Sequence, residues 1–130
     1  MDAVAIDHLT LRIPAGEREQ AVDFYGHTLG FDLEGLVAHD AGERPFFAVR
    51  LTEHSVIHLW PDPDFGAPTG QNYDHVSIHL DESAAAIRER LESAAITIED
   101  DREVLGAAGS ARALYVRDPF GYLLELKTHH

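Results

Sequence analysis

Two pairs of potential metal ligands occur at the same spacing in this sequence. His8 and His75 lie 67 residues apart, and so do His58 and Glu125. Imidazole and carboxylate groups are the side chains with which first-row divalent cations are commonly bound. A single strand histidine or a single terminal glutamate is readily explained by packing or solvation. Four such residues at equivalent positions of a repeat are harder to explain in that way, and they indicate a metal site.

The stretch "YDHVSIHL" (73–80) shows how these residues are positioned. In a helix, the spacing of His75 and His79 would itself be typical of a metal site. The apolar residues alternate with polar ones at a period of two, and β-branched residues are frequent, so the pattern predicts a strand instead. One face of this strand is apolar, and the other carries His75, Ser77 and His79.

The same offset relates much of the chain. "IDHLTLRI" (6–13) resembles "YDHVSIHL" (73–80), and "FFAVRLTEHSVIHLW" (46–60) resembles "LYVRDPFGYLLELK" (114–127). Chance similarity between short β segments is the alternative. One ungapped offset at both ends of the unit favours duplication of a supersecondary unit. We therefore predict one domain made of module one (4–60), a turn-rich linker (61–72) and module two (73–127).

Each module is expected to have the order βαβββ, so the fold class is α+β. Apolar residues at helical spacing in "AGEREQAVDFYGHTLGF" (15–31), with Gly30 at its end, predict a first helix. "DESAAAIRERLES" predicts a second helix at 82–94. The predicted strands are 4–13, 31–38, 45–51, 54–60, 73–80, 96–104, 111–117 and 121–127.

The polar faces of the strands predict a cleft. The apolar side chains should pack against the helices, which leaves the opposite faces to line two curved mixed sheets. Those faces carry the four potential ligands together with Thr10, Trp60 and His79. Phe46, Phe47 and Trp60 either line an apolar pocket or belong to the core.

Composition excludes several classes of protein. The chain has 130 residues, no cysteine and a formal net charge of −13, which argues against nucleic-acid or anionic-membrane binding and against thiolate chemistry. We expect a cytoplasmic protein, because neither a membrane span nor a secretory signal is recognisable. The acidity is typical either of adaptation to high salt or of an ordinary acidic protein.

These motifs resemble the vicinal oxygen chelate superfamily, which includes glyoxalases, fosfomycin-resistance transferases, epimerases, extradiol dioxygenases and bleomycin-resistance proteins. The resemblance covers nearly the whole chain and rests on "IDHLTLRI", "AVDFYGHTLGF", "YDHVSIHL" and "VRDPFGYLLEL". It implies the glyoxalase/bleomycin-resistance/dioxygenase fold. It also implies one divalent metal (Zn, Ni, Co, Fe or Mn) held by His8, His58, His75 and Glu125.

The resemblance implies further roles. Tyr115 is a candidate acid or hydrogen-bond donor, and His58 is a candidate base. Substrate contacts are expected from Thr10, Trp60, Tyr73 and His79. In this interpretation the protein is a metal-dependent enzyme that acts on a small substrate with vicinal oxygens, and a homodimer is expected.

The reaction type stays open between lyase or isomerase chemistry, thiol transfer and dioxygenation. No histidine precedes Tyr115 as in a dioxygenase, and "LGAAGSARALY" lacks the potassium loop of a fosfomycin transferase. His58 stands where a glyoxalase would have Glu or Gln. The alternative function is a metal-free small-molecule binding protein of the bleomycin-resistance type, whose acidic cleft would hold a cationic ligand.

Overall fold

The computed structural model describes residues 1–129, which form two compact units. The first is Met1–Gly66, and the second begins at Ala67. Each contains one four-stranded mixed sheet, so the predicted α+β class is confirmed. We keep the names module one and module two for these units, whose bounds are wider than the predicted 4–60 and 73–127.

Module one has two helical regions and four strands. A short α-helix continues into a π-helical segment, Val22–Thr28. The elements of module one are β1 (His8–Pro14), α1 (Arg18–Ala21), β2 (Asp32–Glu34), α2 (Leu36–Asp40), β3 (Phe47–Thr52) and β4 (Ser55–Asp62). The strand order is β1-β4-β3-β2, in which β1 and β4 are parallel and the other pairs are antiparallel.

Module two repeats this plan with a single helix. Its elements are β5 (Val76–Leu80), α3 (Ala84–Ser93), β6 (Asp100–Gly106), β7 (Gly109–Arg117) and β8 (Leu123–Thr128). The order is β5-β8-β7-β6, with β5 and β8 parallel. The Ser83 side chain accepts a hydrogen bond from the Ala86 amide and so caps α3, whose Ile87 and Leu91 are buried.

One face of each sheet forms the core of its module. Phe47, Val49, Ile57 and Leu59 are fully buried in module one, and Leu114, Val116, Leu124 and Leu126 are buried at the equivalent positions of module two. Of the two phenylalanines left open by the sequence, Phe47 belongs to this core, whereas Phe46 is half-buried and contacts the rings of His58 and Trp60. The opposite face of each sheet holds the candidate functional residues.

The predicted strand 31–38 is wrong beyond Glu34. Gly35 has φ +77°, a left-handed conformation that ends the strand, and α2 follows it. A Cβ on Gly35 would also meet the guanidinium of Arg44, which would have to shift, but the positive φ is the feature that favours glycine here.

Three other strand starts differ from the predictions by three or four residues. The first strand begins at His8 rather than residue 4. Its partner β4 begins at Ser55, and the Val56 amide donates a hydrogen bond to the Asp7 carbonyl, so within residues 1–129 the residues before Asp7 have no paired strand beside them. The fifth predicted strand begins at Val76 rather than residue 73, and the sixth begins at Asp100 rather than residue 96. The first predicted helix is broken into α-helical and π-helical parts, a change that apolar periodicity does not reveal.

Candidate functional site

The parallel pairing of β1 and β4 brings His8 and His58 together in module one. Thr10 is in register with His58, so all three side chains belong to the same face of the sheet. The imidazole rings of His8 and His58 stack with centroids 4.4 Å apart and an angle of 23° between their planes. Two of the four predicted ligands are therefore neighbours within this module.

A carboxylate orients the first histidine of each module. His8 Nδ1 lies 2.7 Å from Asp7 Oδ2, and His75 Nδ1 lies 2.5 Å from Asp74 Oδ1. A carboxylate can only accept a hydrogen bond, so in each pair Nδ1 carries the proton and donates. The Nε2 lone pair of each imidazole is then free for another partner, as in carboxylate–histidine–metal arrangements.

His58 is held in its neutral form. Burial is the main reason why the pKa of His58 lies below its ordinary value of 6.5, and the nearby His8 imidazole and Arg44 guanidinium act in the same direction. On its other side the ring contacts Phe46 at 4.3 Å between centroids. A neutral imidazole is the form that binds a metal or accepts a proton.

Aromatic contacts continue along this face of module one. Phe46 stacks on Trp60 with ring centroids 5.4 Å apart, and the Arg12 guanidinium lies 5.5 Å from the Trp60 ring centroid. Rings and a cation in this arrangement offer an apolar, polarisable surface to a ligand.

In module two the equivalent face is built around a buried carboxylate. Glu125 is only 6% exposed, and Tyr115, opposite it on β7, donates its hydroxyl hydrogen bond to Glu125 Oε1. The His75 ring packs edge-on against Tyr115 with centroids 5.7 Å apart. Tyr115 therefore links two of the predicted ligands.

Tyr115 stays protonated at neutral pH. Burial raises the pKa of its hydroxyl, the Glu125 carboxylate raises it further, and the Arg102 guanidinium opposes both. Arg102 lies over the ring, with its Cζ atom 5.1 Å from the centroid. A protonated phenol of this kind is able to donate a hydrogen bond.

The remaining predicted residues have varied surroundings. Tyr73 is half-buried and donates its hydroxyl hydrogen bond to the Leu123 carbonyl at 2.8 Å, and burial raises its pKa to about 12. His79 is exposed and stacks on His129 with centroids 5.1 Å apart. Thr10 is exposed on β1.

A family model identifies the chain. The model of the Glyoxalase/Bleomycin resistance protein/Dioxygenase superfamily matches residues 5–126. The chain belongs to this superfamily. Among curated protein sequences, none matches the chain.

Solved structures with this fold resemble the superfamily domain over its whole length. An integron cassette protein from V. cholerae is 24% identical with a TM-score of 0.77, and the match covers 100% of this chain and 98% of the other. A lactoylglutathione lyase from Agrobacterium tumefaciens is 18% identical with a TM-score of 0.66, covering 99% and 96%. A glyoxalase/dioxygenase from Nostoc punctiforme is 15% identical with a TM-score of 0.74, covering 98% and 97%. At these identities the likeness establishes the fold alone.

Members of the superfamily bind small molecules and often use a divalent metal. Within residues 1–129, however, no three His, Asp or Glu side chains are gathered as a metal-binding cluster. The structure brings His8 to His58 and joins His75 to Glu125 through Tyr115. No helix in the described part of the superfamily domain is long and apolar enough to cross a bilayer.

Each module of the superfamily domain also has a cavity beside its Asp–His pair. In module one a cavity of about 710 Å³ is lined by Asp7 and Arg50, and in module two one of about 450 Å³ is lined by Asp74 and Arg117. None of the four predicted ligands lines either cavity. These cavities therefore lie next to the orienting carboxylates rather than at the imidazoles and Glu125.

Four residues near the predicted ligands have no role predicted from the sequence: Asp7, Asp74, Arg102 and Lys127. The identity of Asp7 and Asp74 in the repeat was a usable signal for the first two. Arg102 and Lys127 carry no such signal, since their equivalents in module one are Gly35 and Trp60.

Proposed function

We propose that the protein is a metal-dependent enzyme acting on a small substrate with vicinal oxygens, and that His8, His58, His75 and Glu125 hold its divalent cation. The observation that carries this proposal is the duplicated Asp–His pair. An aspartate that fixes the proton on Nδ1 is useful when Nε2 must remain a free electron-pair donor.

The chemistry of the other two residues supports the same assignment. The depressed pKa of His58 favours the neutral imidazole that metals require. Glu125 is a buried carboxylate, and a buried charge is costly unless a cation or several hydrogen bonds balance it. Three imidazoles and one carboxylate suit Zn²⁺, Ni²⁺, Co²⁺, Fe²⁺ or Mn²⁺.

A divalent cation held by these residues would act as a Lewis acid toward two neighbouring substrate oxygens. The protein's own groups would handle the protons. His58, neutral near physiological pH, would serve as a base, and Tyr115, protonated there, would donate a hydrogen bond or proton to a developing oxyanion.

Substrate contacts are proposed for Thr10, Trp60, Tyr73 and His79. Because the Tyr73 hydroxyl is already bonded to the Leu123 carbonyl, its contribution would come from the ring. Trp60 would add apolar surface from the aromatic contacts of module one. We also propose a cytoplasmic homodimer, and light scattering on the purified protein tests the oligomeric state.

A second candidate is a metal-free binding protein of the bleomycin-resistance type. The net charge of −13 and the Phe46–Trp60 ring pair favour a cationic, partly aromatic ligand. In that case the four proposed ligands would hold no metal, and their replacement would leave ligand binding largely intact.

Metal content distinguishes the two candidates. Untagged protein purified without added metal would be measured by plasma mass spectrometry, beside His8→Ala and Glu125→Ala. His27→Ala is the matched control, because His27 also has Nδ1 near a carboxylate, at 3.2 Å from Asp23, but is an exposed helical residue. We expect about one metal per chain in the wild type and the control, and loss in both ligand variants.

A wild type that is empty and fails to take up Zn²⁺, Ni²⁺, Fe²⁺ or Mn²⁺ would contradict the enzyme proposal and favour the metal-free binder. A loaded wild type would justify a screen of α-keto, diol and epoxide substrates. These classes separate isomerase or lyase chemistry, dioxygenation and thiol transfer.

A further inference from the structure

Lys127 is the only lysine in the chain, and it is buried. Its side chain belongs to β8, the strand that carries Glu125, and the residue is 5% exposed. Its Nζ donates a hydrogen bond to the Gly109 carbonyl at 2.6 Å. Lysine is among the residues least often fully buried, because its ammonium is strongly hydrated.

The ammonium has no counter-ion among residues 1–129. No Asp or Glu side chain of this part of the chain lies within 4.0 Å of Lys127 Nζ, and the Gly109 carbonyl is the one acceptor it provides. An ammonium has three donors, so two are left for other partners. Burying an unpaired cation is expensive, and an anion at this place would remove much of that cost.

Strand register puts Lys127 beside the proposed ligands. Glu125 is opposite Ser77 and Tyr115, whereas Lys127 is opposite His79 and Ala113 in the next row of the same face. Residues two apart on a strand are about 6.6–6.8 Å apart. An anion at Lys127 would therefore be within one small molecule's length of Glu125.

Arg102 extends this second row. It is opposite Ala113 on β6, so Lys127 and Arg102 flank an alanine whose side chain is only a methyl group. Arg102 is paired with Asp100 at 3.1 Å, yet its side chain is 61% exposed and can turn toward a ligand. His79, at the other end of the row, is also exposed.

The turn against which Lys127 rests contains only small residues. It joins β6 to β7 with the sequence Gly-Ala-Ala-Gly (106–109), and all four residues are exposed. A Cβ on Gly106 would lie 2.5 Å from Lys127 Nζ. The ammonium therefore lies against bare backbone, with no long side chain of the turn covering it.

We propose that Lys127, with Arg102 as a second cation, binds the anionic group of a small carboxylate or phosphonate. The view that this anionic group belongs to the substrate rests on the proposed function. The substrate would then carry its vicinal oxygens and its anionic group on one small skeleton.

Anion binding by metal-free protein tests this proposal separately from the metal. Chelator-treated protein would be titrated with acetate, methylphosphonate and neutral acetamide at constant ionic strength, following the amide resonances of residues 106–110 by NMR. We expect both anions, and not acetamide, to shift these resonances in the wild type. Lys127→Met and Arg102→Met should each weaken anion binding about tenfold or more, the scale of a charged hydrogen bond.

Two further variants act as controls. Lys127→Arg keeps the charge and should retain most of the affinity. Arg112→Met removes a cation from the opposite face of β7, where Arg112 pairs with Asp101, and should bind as the wild type does. If Lys127→Met fails to fold, as judged by its NMR spectrum, the exposed Arg102 decides the matter through Arg102→Met.

Anion binding no tighter than acetamide binding, or equal affinity in the wild type and Arg102→Met, would overturn the proposal. Metal loss and anion loss are distinguishable, because His8→Ala and Glu125→Gln should abolish metal uptake and preserve the anion-induced shifts. A wild type that takes up no metal yet binds both anions at Lys127 would end the enzyme proposal and leave the anion site standing.

Discussion

The two modules share a backbone plan and an Asp–His pair, but the sheet faces opposite their cores have different chemistry. In module one, the rings of His8, His58, Phe46 and Trp60 form successive contacts. At the equivalent face of module two, a phenol is bonded to a buried carboxylate, and a buried ammonium lies in the next row. The two modules therefore share strand register and orienting aspartates, whereas one of these faces is aromatic and the other ionic.

The core faces of the two sheets are, by contrast, alike. Phe47, Val49, Ile57 and Leu59 correspond to Leu114, Val116, Leu124 and Leu126, and all eight are at most 1% exposed. Their sizes are similar at each position, as close packing demands. Close packing therefore restricts the residues of the core face in both sheets, whereas the residues of the opposite face differ between the modules.

Truncation of equivalent core side chains should give the largest loss of stability and tests whether the two cores are equivalent. Leu59→Ala and Leu126→Ala should each lower the free energy of unfolding by about 2–5 kcal/mol, because each leaves a cavity in a fully packed core. Chemical denaturation of each variant measures the loss.

Leu105→Ala is the control for this pair, since Leu105 is 83% exposed and its truncation should cost less than about 0.5 kcal/mol. If one core variant loses several kcal/mol and its partner loses no more than the control, the two cores are not energetically equivalent.

A phenol-to-phenyl change should have an intermediate effect that differs between two tyrosines of module two. Tyr115→Phe removes the hydrogen bond to buried Glu125 and should cost about 1.5–3 kcal/mol, the range for a charged partner. Tyr73→Phe removes a bond to a carbonyl and should cost about 0.5–1.5 kcal/mol. Urea denaturation of the metal-free proteins gives both values.

Equal losses of unfolding free energy in the two variants would mean that the hydrogen bond from Tyr115 to Glu125 stabilises the fold no more than the one from Tyr73 to the Leu123 carbonyl. Module two would then lack the ionic character that distinguishes it from module one. A larger loss for Tyr115→Phe would sharpen the contrast with Ala48, the residue that module one has at this position.

The repeat made most of the fold predictable from the sequence. The strand that contains His58 lies within two residues of its predicted bounds, because the burial of one face imposes a period of two. The alternating first and fifth strands begin four and three residues later than predicted, since alternation does not show where pairing with a neighbouring strand starts. The segment after Gly30 was not predicted correctly, since its structure depends on the left-handed Gly35 and on Arg44 packing over it. That contact joins residues nine positions apart, and local pattern does not show it.

The candidate site was predictable only in part, for a similar reason. Residue type and spacing identified His8 and Glu125, but the orienting role of Asp7 depends on which ring nitrogen it meets. The burial of Lys127 is set by its register with Ala113 and by the glycines of the neighbouring turn. Lysine on a terminal strand would ordinarily be expected in solvent.

The pH dependence of stability should show the smallest difference between the modules. Arginine contacts lower the pKa of Glu34 through Arg50, and they lower that of Asp101 through Arg112 and Arg88, from ordinary values of 4.5 and 3.8. A lowered pKa in the folded state means that the stabilisation is complete above the unfolded value and is lost as the pH falls below it. Relative to the wild type, Glu34→Gln should therefore flatten the stability profile below about pH 4.5, and Asp101→Asn below about pH 3.8, in urea titrations from pH 6 to 2.5.

Both differences from the wild type should shrink in 1 M salt, because these ion pairs are partly exposed. Glu89→Gln, at an exposed position of α3, should follow the wild-type profile. If the profiles of Glu34→Gln and Asp101→Asn coincide with this control, the arginine contacts add nothing to the stability of either module, and the modules differ only in the sheet faces opposite their cores.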